Sequence, residues 1–261
     1  MITVQKINVA IAGHEIIRDI SFDILPGRFT VVIGVNGAGK STLLNTLSGR
    51  NKRFDGRILW DKLPLHQMDI KILARRRAVL SQQFSPGFPM KVYDLVEMGM
   101  MAINEKVSPG DKKNKILQAL NEVGMLRYKD RMFDTLSGGE QKRVLLAKCF
   151  VQLSDSDHHI KYLFLDEPTA SIDIHHSYKI LQLVKEKCHR ENYGVFAIFH
   201  DLNLAAQFAD QVLLLKSGEL VYSGSPDQMF QPDILQSVLG INSIVQPHPI
   251  LGCPHITTLP L

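Results

Sequence analysis

Three short stretches of this chain combine residue types that handle phosphate. Gly34-Val35-Asn36-Gly37-Ala38-Gly39-Lys40-Ser41-Thr42 reads G-x-x-x-x-G-K-[ST], a loop whose backbone N–H groups cradle phosphate oxygens. Gly34, Gly37 and Gly39 lack a Cβ and let the chain wrap an anion closely. Lys40 brings a point charge to the terminal phosphates, and the Ser41 hydroxyl is an oxygen ligand for Mg²⁺. Leu136-Ser137-Gly138-Gly139-Glu140 is a second candidate anion device, two glycines opening a helix N-terminus. Its plain alternative is a helix capped by Ser137. The third stretch is an apolar run, Tyr162-Leu163-Phe164-Leu165, closed by Asp166-Glu167. A carboxylate at such a strand end holds a divalent cation, and the next acid can take a proton from an attacking water.

The elements that must position these groups alternate between strand and helix patterns. Phe29–Ile33 is an apolar, β-rich run that suits a buried parallel strand, and Lys40–Leu47 is a helix that Gly49 stops. Before them, residues 2–25 form two antiparallel strands joined near Gly13, and Pro26-Gly27 turns the chain. Asp55-Gly56 is a turn signal ahead of a strand at Arg57–Trp60. Ala78–Ser81 is a short strand that delivers Gln82 and Gln83 to its C-terminal end, where ligands bind in open α/β sheets.

From Val92 to about Leu153 the periodicity is helical only, in segments Val92–Ile103, Lys112–Val123 and Glu140–Leu153 separated by Pro109-Gly110 and Gly138-Gly139. This predicts a helical insertion over 90–155 in an α/β core made of 1–89 and 156–261. Strands return at Tyr162–Leu165 and at Val195–Phe199, the latter ending at His200. Ile174–Arg190 and Leu202–Ala209 are helices; Gln211–Lys216 and Glu219–Ser223 form a hairpin turned at Ser217-Gly218. The tail starts helical at Pro226 and becomes proline-rich after Gln246.

Composition restricts the class without choosing the function. The 261 residues suffice for one large α/β domain, with 45% hydrophobic and 21% charged content typical of a packed protein. A net charge of +4 does not argue for nucleic acid. No run approaches the ~20 apolar residues that span a bilayer, and Met1–Lys6 lacks the plan of a signal peptide, so the expected location is cytosolic. Cys149, Cys188 and Cys253 have neither disulfide nor zinc spacing.

Taken together these residues resemble the ATP-binding cassette (ABC) of transporters, over nearly the whole chain. The markers stand in that family's order: Gly34–Thr42 (Walker A), Gln82 (Q-loop), Leu136–Glu140 (signature), Asp166-Glu167 (Walker B and catalytic acid), Asp173 (D-loop) and His200 (switch histidine). The resemblance implies a P-loop NTPase fold: a mixed-sheet α/β core, an antiparallel β flank and an inserted helical subdomain. It also implies a head-to-tail dimer of two copies, with each ATP bound by one copy's Gly34–Thr42 and covered by the other's Ser137, Gly138 and Gly139, with Asp173 nearby. Ser41, Gln82 and Asp166 would surround Mg²⁺. Glu167 would polarise the water, and His200 would touch the γ-phosphate and hold Glu167. Partners would be a permease dimer and, indirectly, a periplasmic binding protein, at the cytoplasmic face of the inner membrane, with no nucleic acid. The family stacks adenine on an aromatic residue near the end of the first strand. Met1–Ser21 has none, and Val9 is expected in that place, with Ile11 or His14 as alternatives.

Within the family the chain is similar to cassettes of bacterial iron-siderophore, cobalamin and haemin importers. The lengthened link Gln152–Lys161, with its Ser154-Asp155-Ser156-Asp157-His158-His159, and the C-terminal His248–His255 resemble those of haemin-import ATP-binding proteins. Haemin is therefore the first expectation, a ferric siderophore or cobalamin the second. His158-His159, His175-His176 and His248 are read as surface or loop residues. Soluble cassettes that act on DNA or ribosomes carry two cassettes or a long coiled-coil insertion, neither of which is found here. Glu167 argues against a degenerate cassette that does not hydrolyse ATP.

Overall fold

The computed structural model of the chain describes residues 1–82, 84–102, 108–154 and 160–260. The chain divides into two compact units, Met1–Met68 with Gly194–Leu261, and Asp69–Tyr193. The helical stretch expected over 90–155 falls inside the second, which also holds two strands.

The first unit opens with an antiparallel pair, β1 (Ile2–Ile11) and β2 (His14–Ile24). Ile2 and Val4 on β1 and Ile20 and Ile24 on β2 are buried, as the period-2 pattern requires, and a register shift in their pairing places Ile17 inside as well. β3 (Phe29–Gly34) is buried at every position and leads through the glycine loop into α1 (Lys40–Leu47). Gly49, at φ +72, takes the left-handed position that ends α1. β4 (Asp55–Trp60) pairs with β1, and β5 (Leu63–Pro64) with β4, giving the sheet order β2-β1-β4-β5. Asp55-Gly56 is the start of β4 rather than a turn before it. Its register against β1 shifts between Gln5 and Asn8, where Lys6 turns to φ +48. Gly56 (φ +93) is forced there, because a Cβ would lie 2.2 Å from the Lys6 carbonyl oxygen.

The second unit runs α2 (Ile70–Arg76), β6 (Arg77–Leu80), α3 (Val92–Glu97), α4 (Pro109–Glu122), α5 (Gly138–Leu153), β7 (Lys161–Asp166) and α6 (Ile174–Arg190). β6 and β7 are parallel, with Leu80 opposite Leu165. α5 contacts α3, α4 and β6 and is buried along most of its length. Gln152 fastens α5 to the α2–β6 junction by donating to the carbonyl oxygens of Ala74 and Arg77, at 2.7 and 2.8 Å.

Three expectations change here. The helix expected over Val92–Ile103 is α for six residues and continues as a 3₁₀ turn, Met98–Ala102; Ile103 lies outside the described residues. Pro109-Gly110 and Gly138-Gly139 are first turns of α4 and α5 rather than separators. Proline is tolerated at N1, where its missing N–H has no intrahelical partner anyway.

The chain returns to the first unit through β8 (Tyr193–Ile198), α7 (Leu202–Phe208), β9 (Gln211–Lys216), β10 (Glu219–Gly224), α8 (Pro226–Met229) and α9 (Pro232–Leu239). β3 lies parallel to both β8 and β9, and β10 pairs antiparallel with β9. The sheet is mixed, as expected. The tail is not simply proline-rich: β11 (Ser243–Pro247) and β12 (Pro254–Thr258) form an antiparallel hairpin that the sequence pattern did not reveal. Among the described residues no helix is long and apolar enough to cross a membrane.

Gly56→Ala is expected to lower unfolding stability by about 1–3 kcal/mol in urea titration, because it combines positive φ with a backbone clash.

Candidate functional site

Phosphate chemistry in the first unit collects at the C-terminal ends of β3 and β8. Gly37 and Gly39 have φ of +80° and +96°. A Cβ on Gly39 would lie 3.0 Å from the Ile16 carbonyl oxygen and press on the tip of Ile17, so a tight fit adds to the demand that φ makes for glycine. Gly39 is the N-cap of α1 and brings no capping side chain, and the first turn of α1 holds no acidic residue. The helix end thus presents N–H groups and partial positive charge to an anion. Lys40 is only 7% exposed; its Nζ donates to the carbonyl oxygens of Gly34 (2.7 Å) and Val35 (3.0 Å), folding the ammonium back across its own loop. Asn36 and Ser41 are exposed beside it, and Thr42 lies in the first turn of α1.

His200 joins this cluster through strand register. Val32 is opposite Ile198 in the parallel pair, so two residues further on Gly34 and His200 leave their strands side by side. Both line a cavity of about 400 Å³ whose walls include Asp201, Asn203 and Ile256. Asp201 caps α7 by accepting the Leu204 N–H at 2.9 Å.

Val9 does not fit the adenine role. It is 1% exposed, packed in the core below β1, and offers no face to a base, because the alternation of β1 turns it inward. Ile11, 53% exposed, is two residues on, and His14 is exposed across the turn.

The second unit assembles a carboxylate cluster. Asp166 ends β7 and is 8% exposed. Glu167 follows at φ +51, a left-handed conformation that costs a residue with a side chain about 1 kcal/mol or more. Gln82 Nε2 donates to Glu167 Oε2 at 3.0 Å, a pairing within this unit that the sequence reading did not anticipate. Lys142 Nζ donates to the Glu167 carbonyl oxygen. Burial pushes the Lys142 ammonium below its usual range, and the charges of Glu167 and Asp166 oppose that shift.

Lys142 was missed as a site residue. The available signal was its place on the apolar stripe of α5, four residues before Leu146 and seven before Cys149, where a lysine needs an acidic partner.

Ser137 is a helix cap, and more than that. Its hydroxyl accepts from Glu140 N and meets Glu140 Oε2 at 3.0 Å, while Glu140 Oε2 accepts the Ser137 N–H at 2.9 Å. This reciprocal box leaves Gly138 and Gly139 in the first turn. A Cβ on Gly139 would come within 2.9 Å of the Ser171 carbonyl oxygen, so the turn after Glu167 lies directly against the start of α5. Asp173 caps α6, accepting the His176 N–H at 3.0 Å and meeting its ring Nδ1 at 2.7 Å. The backbone donor first and then the ring hold its carboxyl below the usual range. His175 is exposed; His158 and His159 lie outside the described residues, as does Gln83. Gly34–Thr42 and His200 thus belong to one unit, and Gln82, Ser137–Gly139, Asp166, Glu167 and Asp173 to the other.

The family described as ABC transporter matches residues 17–170, from the middle of β2 to just past Glu167. The chain belongs to the ABC transporter family. Its relatives within that family match almost end to end. The protein named "Hemin import ATP-binding protein HmuV" of Hydrogenovibrio crunogenus is 38% identical over 253 residues, 95% of this chain and 96% of its own length. Among solved ABC structures, an inward-facing metal-chelate type ABC transporter aligns with TM-score 0.80 and 24% identity, covering 99% of this chain and 96% of its own. The dimeric bacterial ABC transporter cassette MJ0796 aligns with TM-score 0.76 and 24% identity, covering 86% and 98%. Both show the ABC cassette fold.

Glu140 carries a pH-dependent part of the α5 cap. The Ser137 backbone N–H holds its carboxyl below the ordinary value, so its contribution is present above that value and lost as pH falls through the lowered one. Glu140→Gln should therefore flatten the loss of thermal stability between about pH 5 and about pH 3, and cost only a few tenths of a kcal/mol near neutrality.

Proposed function

We propose that this chain is the ATP-hydrolysing subunit of a haemin importer, working at the cytoplasmic face of the inner membrane. Two copies bind two ATP molecules head to tail, and their closure and hydrolysis drive solute through a permease dimer fed by a periplasmic binding protein. The observation that carries this reading is the end-to-end likeness to relatives named for hemin import. The dimeric cassette among the structural neighbours supports the two-copy assembly.

The residues take the following parts. Lys40 exchanges its Gly34 and Val35 carbonyl partners for β- and γ-phosphate oxygens, and the N–H groups of Asn36 to Thr42 surround the phosphates. The Ser41 hydroxyl and the Asp166 carboxylate are hard oxygen donors of the kind Mg²⁺ prefers, with Gln82 as a further oxygen donor; the ion would neutralise phosphate charge there. Glu167 accepts a proton from the water whose oxygen bonds to the γ-phosphorus as the bond to the β–γ bridging oxygen breaks. ADP and phosphate are the products. Gln82 fixes the plane of the Glu167 carboxylate, and Lys142 holds its backbone. His200 contacts the γ-phosphate. Ser137, Gly138, Gly139 and Asp173 serve the nucleotide of the other copy. Ile11, by aliphatic contact, or His14, by stacking, takes the adenine contact that the buried Val9 cannot make. The helical subdomain over 90–155 and the stretch from Gln82 to Met90, where Phe88 is 61% exposed, receive the permease.

A second reading, an importer of ferric siderophore or cobalamin, draws on the metal-chelate description of the first structural neighbour. The two separate in ATPase assays with the permease encoded beside this gene. Stimulation by haemin-loaded binding protein, and none by ferric siderophore or cobalamin, is expected; the reverse replaces haemin by the second solute class. In the same assay Glu167→Gln should keep ATP binding and lose turnover by about a thousandfold or more. Lys40→Ala should weaken ATP binding itself, measured by equilibrium titration.

A further inference from the structure

The C-terminal hairpin is joined by hydrogen bonds to the helix that follows His200. Asn203, in the first turn of α7, donates from Nδ2 to the Ile256 carbonyl oxygen at 3.0 Å and accepts the Ile256 N–H on Oδ1 at 2.8 Å. A side-chain amide carries the same donor and acceptor as a peptide group, so Asn203 acts as the missing neighbour of β12 on the edge away from β11. Ile256 is 4% exposed and the pair is half-buried, so neither backbone group could turn to water without loss.

The segment between β8 and α7 is thereby fixed at both ends. On one side Phe199 N–H donates to the Val32 carbonyl oxygen at 3.3 Å. On the other, Asp201 caps Leu204 and Asn203 grips β12. His200 lies between these anchors, and His200, Asn203 and Ile256 line the same cavity.

We infer that Asn203 is a positioning residue for His200, and that the β11–β12 hairpin is the strut it acts from. The inference rests on the reading of His200 as the γ-phosphate contact. Freed from Ile256, the first turn of α7 loses its outer restraint, and His200 spends less time where a phosphate oxygen can meet it. Turnover falls, while ATP affinity, which Lys40 and the glycine loop supply, is little changed.

The test uses the full chain with its permease and compares Asn203→Ala, Asn203→Asp, His200→Ala and the Asn203→Ala/His200→Ala pair. Asn203→Asp keeps the size of the side chain but turns an acceptor toward the Ile256 carbonyl, so it reads the hydrogen bond rather than the volume. Both Asn203 variants should lower kcat about tenfold with ATP Kd within about twofold. The imidazole NMR signal of His200, assigned by its loss in His200→Ala, should shift in both, while that of His66, exposed in the turn that follows β5, stays in place. In the His200→Ala background the Asn203 change should cost little more. Full turnover in His200→Ala overturns the reading of His200 itself. Impaired His200→Ala beside an unimpaired Asn203→Asp overturns only the inference about Asn203. An unmoved His200 signal does so too, as does an equal Asn203 penalty in both backgrounds.

Discussion

β3 and β8 are buried at every residue, and β7 at all but its first. A strand enclosed on both faces cannot carry a charge along its length without stranding it in a low-dielectric interior. Polar groups must gather where the strand ends and the chain turns out. In the first unit that rule brings the glycine loop with Lys40 beside His200, aligned by the parallel register of β3 and β8. In the second it brings Gln82 from the end of β6 to Glu167 at the end of β7. Helix starts then add directed N–H groups at α1 and α5. Most of what could act on a phosphate follows from burying three strands.

The same constraint governs Lys142. A buried ammonium is tolerated on α5 because the Glu167 carbonyl oxygen accepts from it and two carboxylates lie near enough to oppose its loss of charge. The helix that begins at Ser137 and the turn that carries Glu167 are thus joined twice, once by this lysine and once by the close approach of Gly139 to Ser171.

How far the sequence could be read depended on whether a signal was local. β3, the glycine loop and α1 declare themselves within about twenty residues, and α6 follows its amphipathic pattern from Ile174 to Arg190 without error. Gln82 and Glu167 were each singled out by family likeness, but their hydrogen bond was not legible, since 85 positions separate the partners. Three features were hidden because their cause is tertiary. β11 and β12 are short, carry prolines and expose most of their residues, so no alternation marks them. Val9 looked available as a base contact, but it falls on the inward face of β1. Lys142 stands on the apolar stripe of α5, but the partner that lets it stay there comes from the end of β7, 25 residues away.

The left-handed backbone at Glu167 sets two kinds of selection against each other. Glycine or asparagine would occupy that φ with less strain, yet neither can take a proton from water. On the proposed role of Glu167, a library screened only for heat resistance would drift toward such replacements and enrich chains that fold better but hydrolyse no ATP. Keeping a carboxylate here is a standing cost of about a kilocalorie per mole, maintained by whatever penalises idle protein.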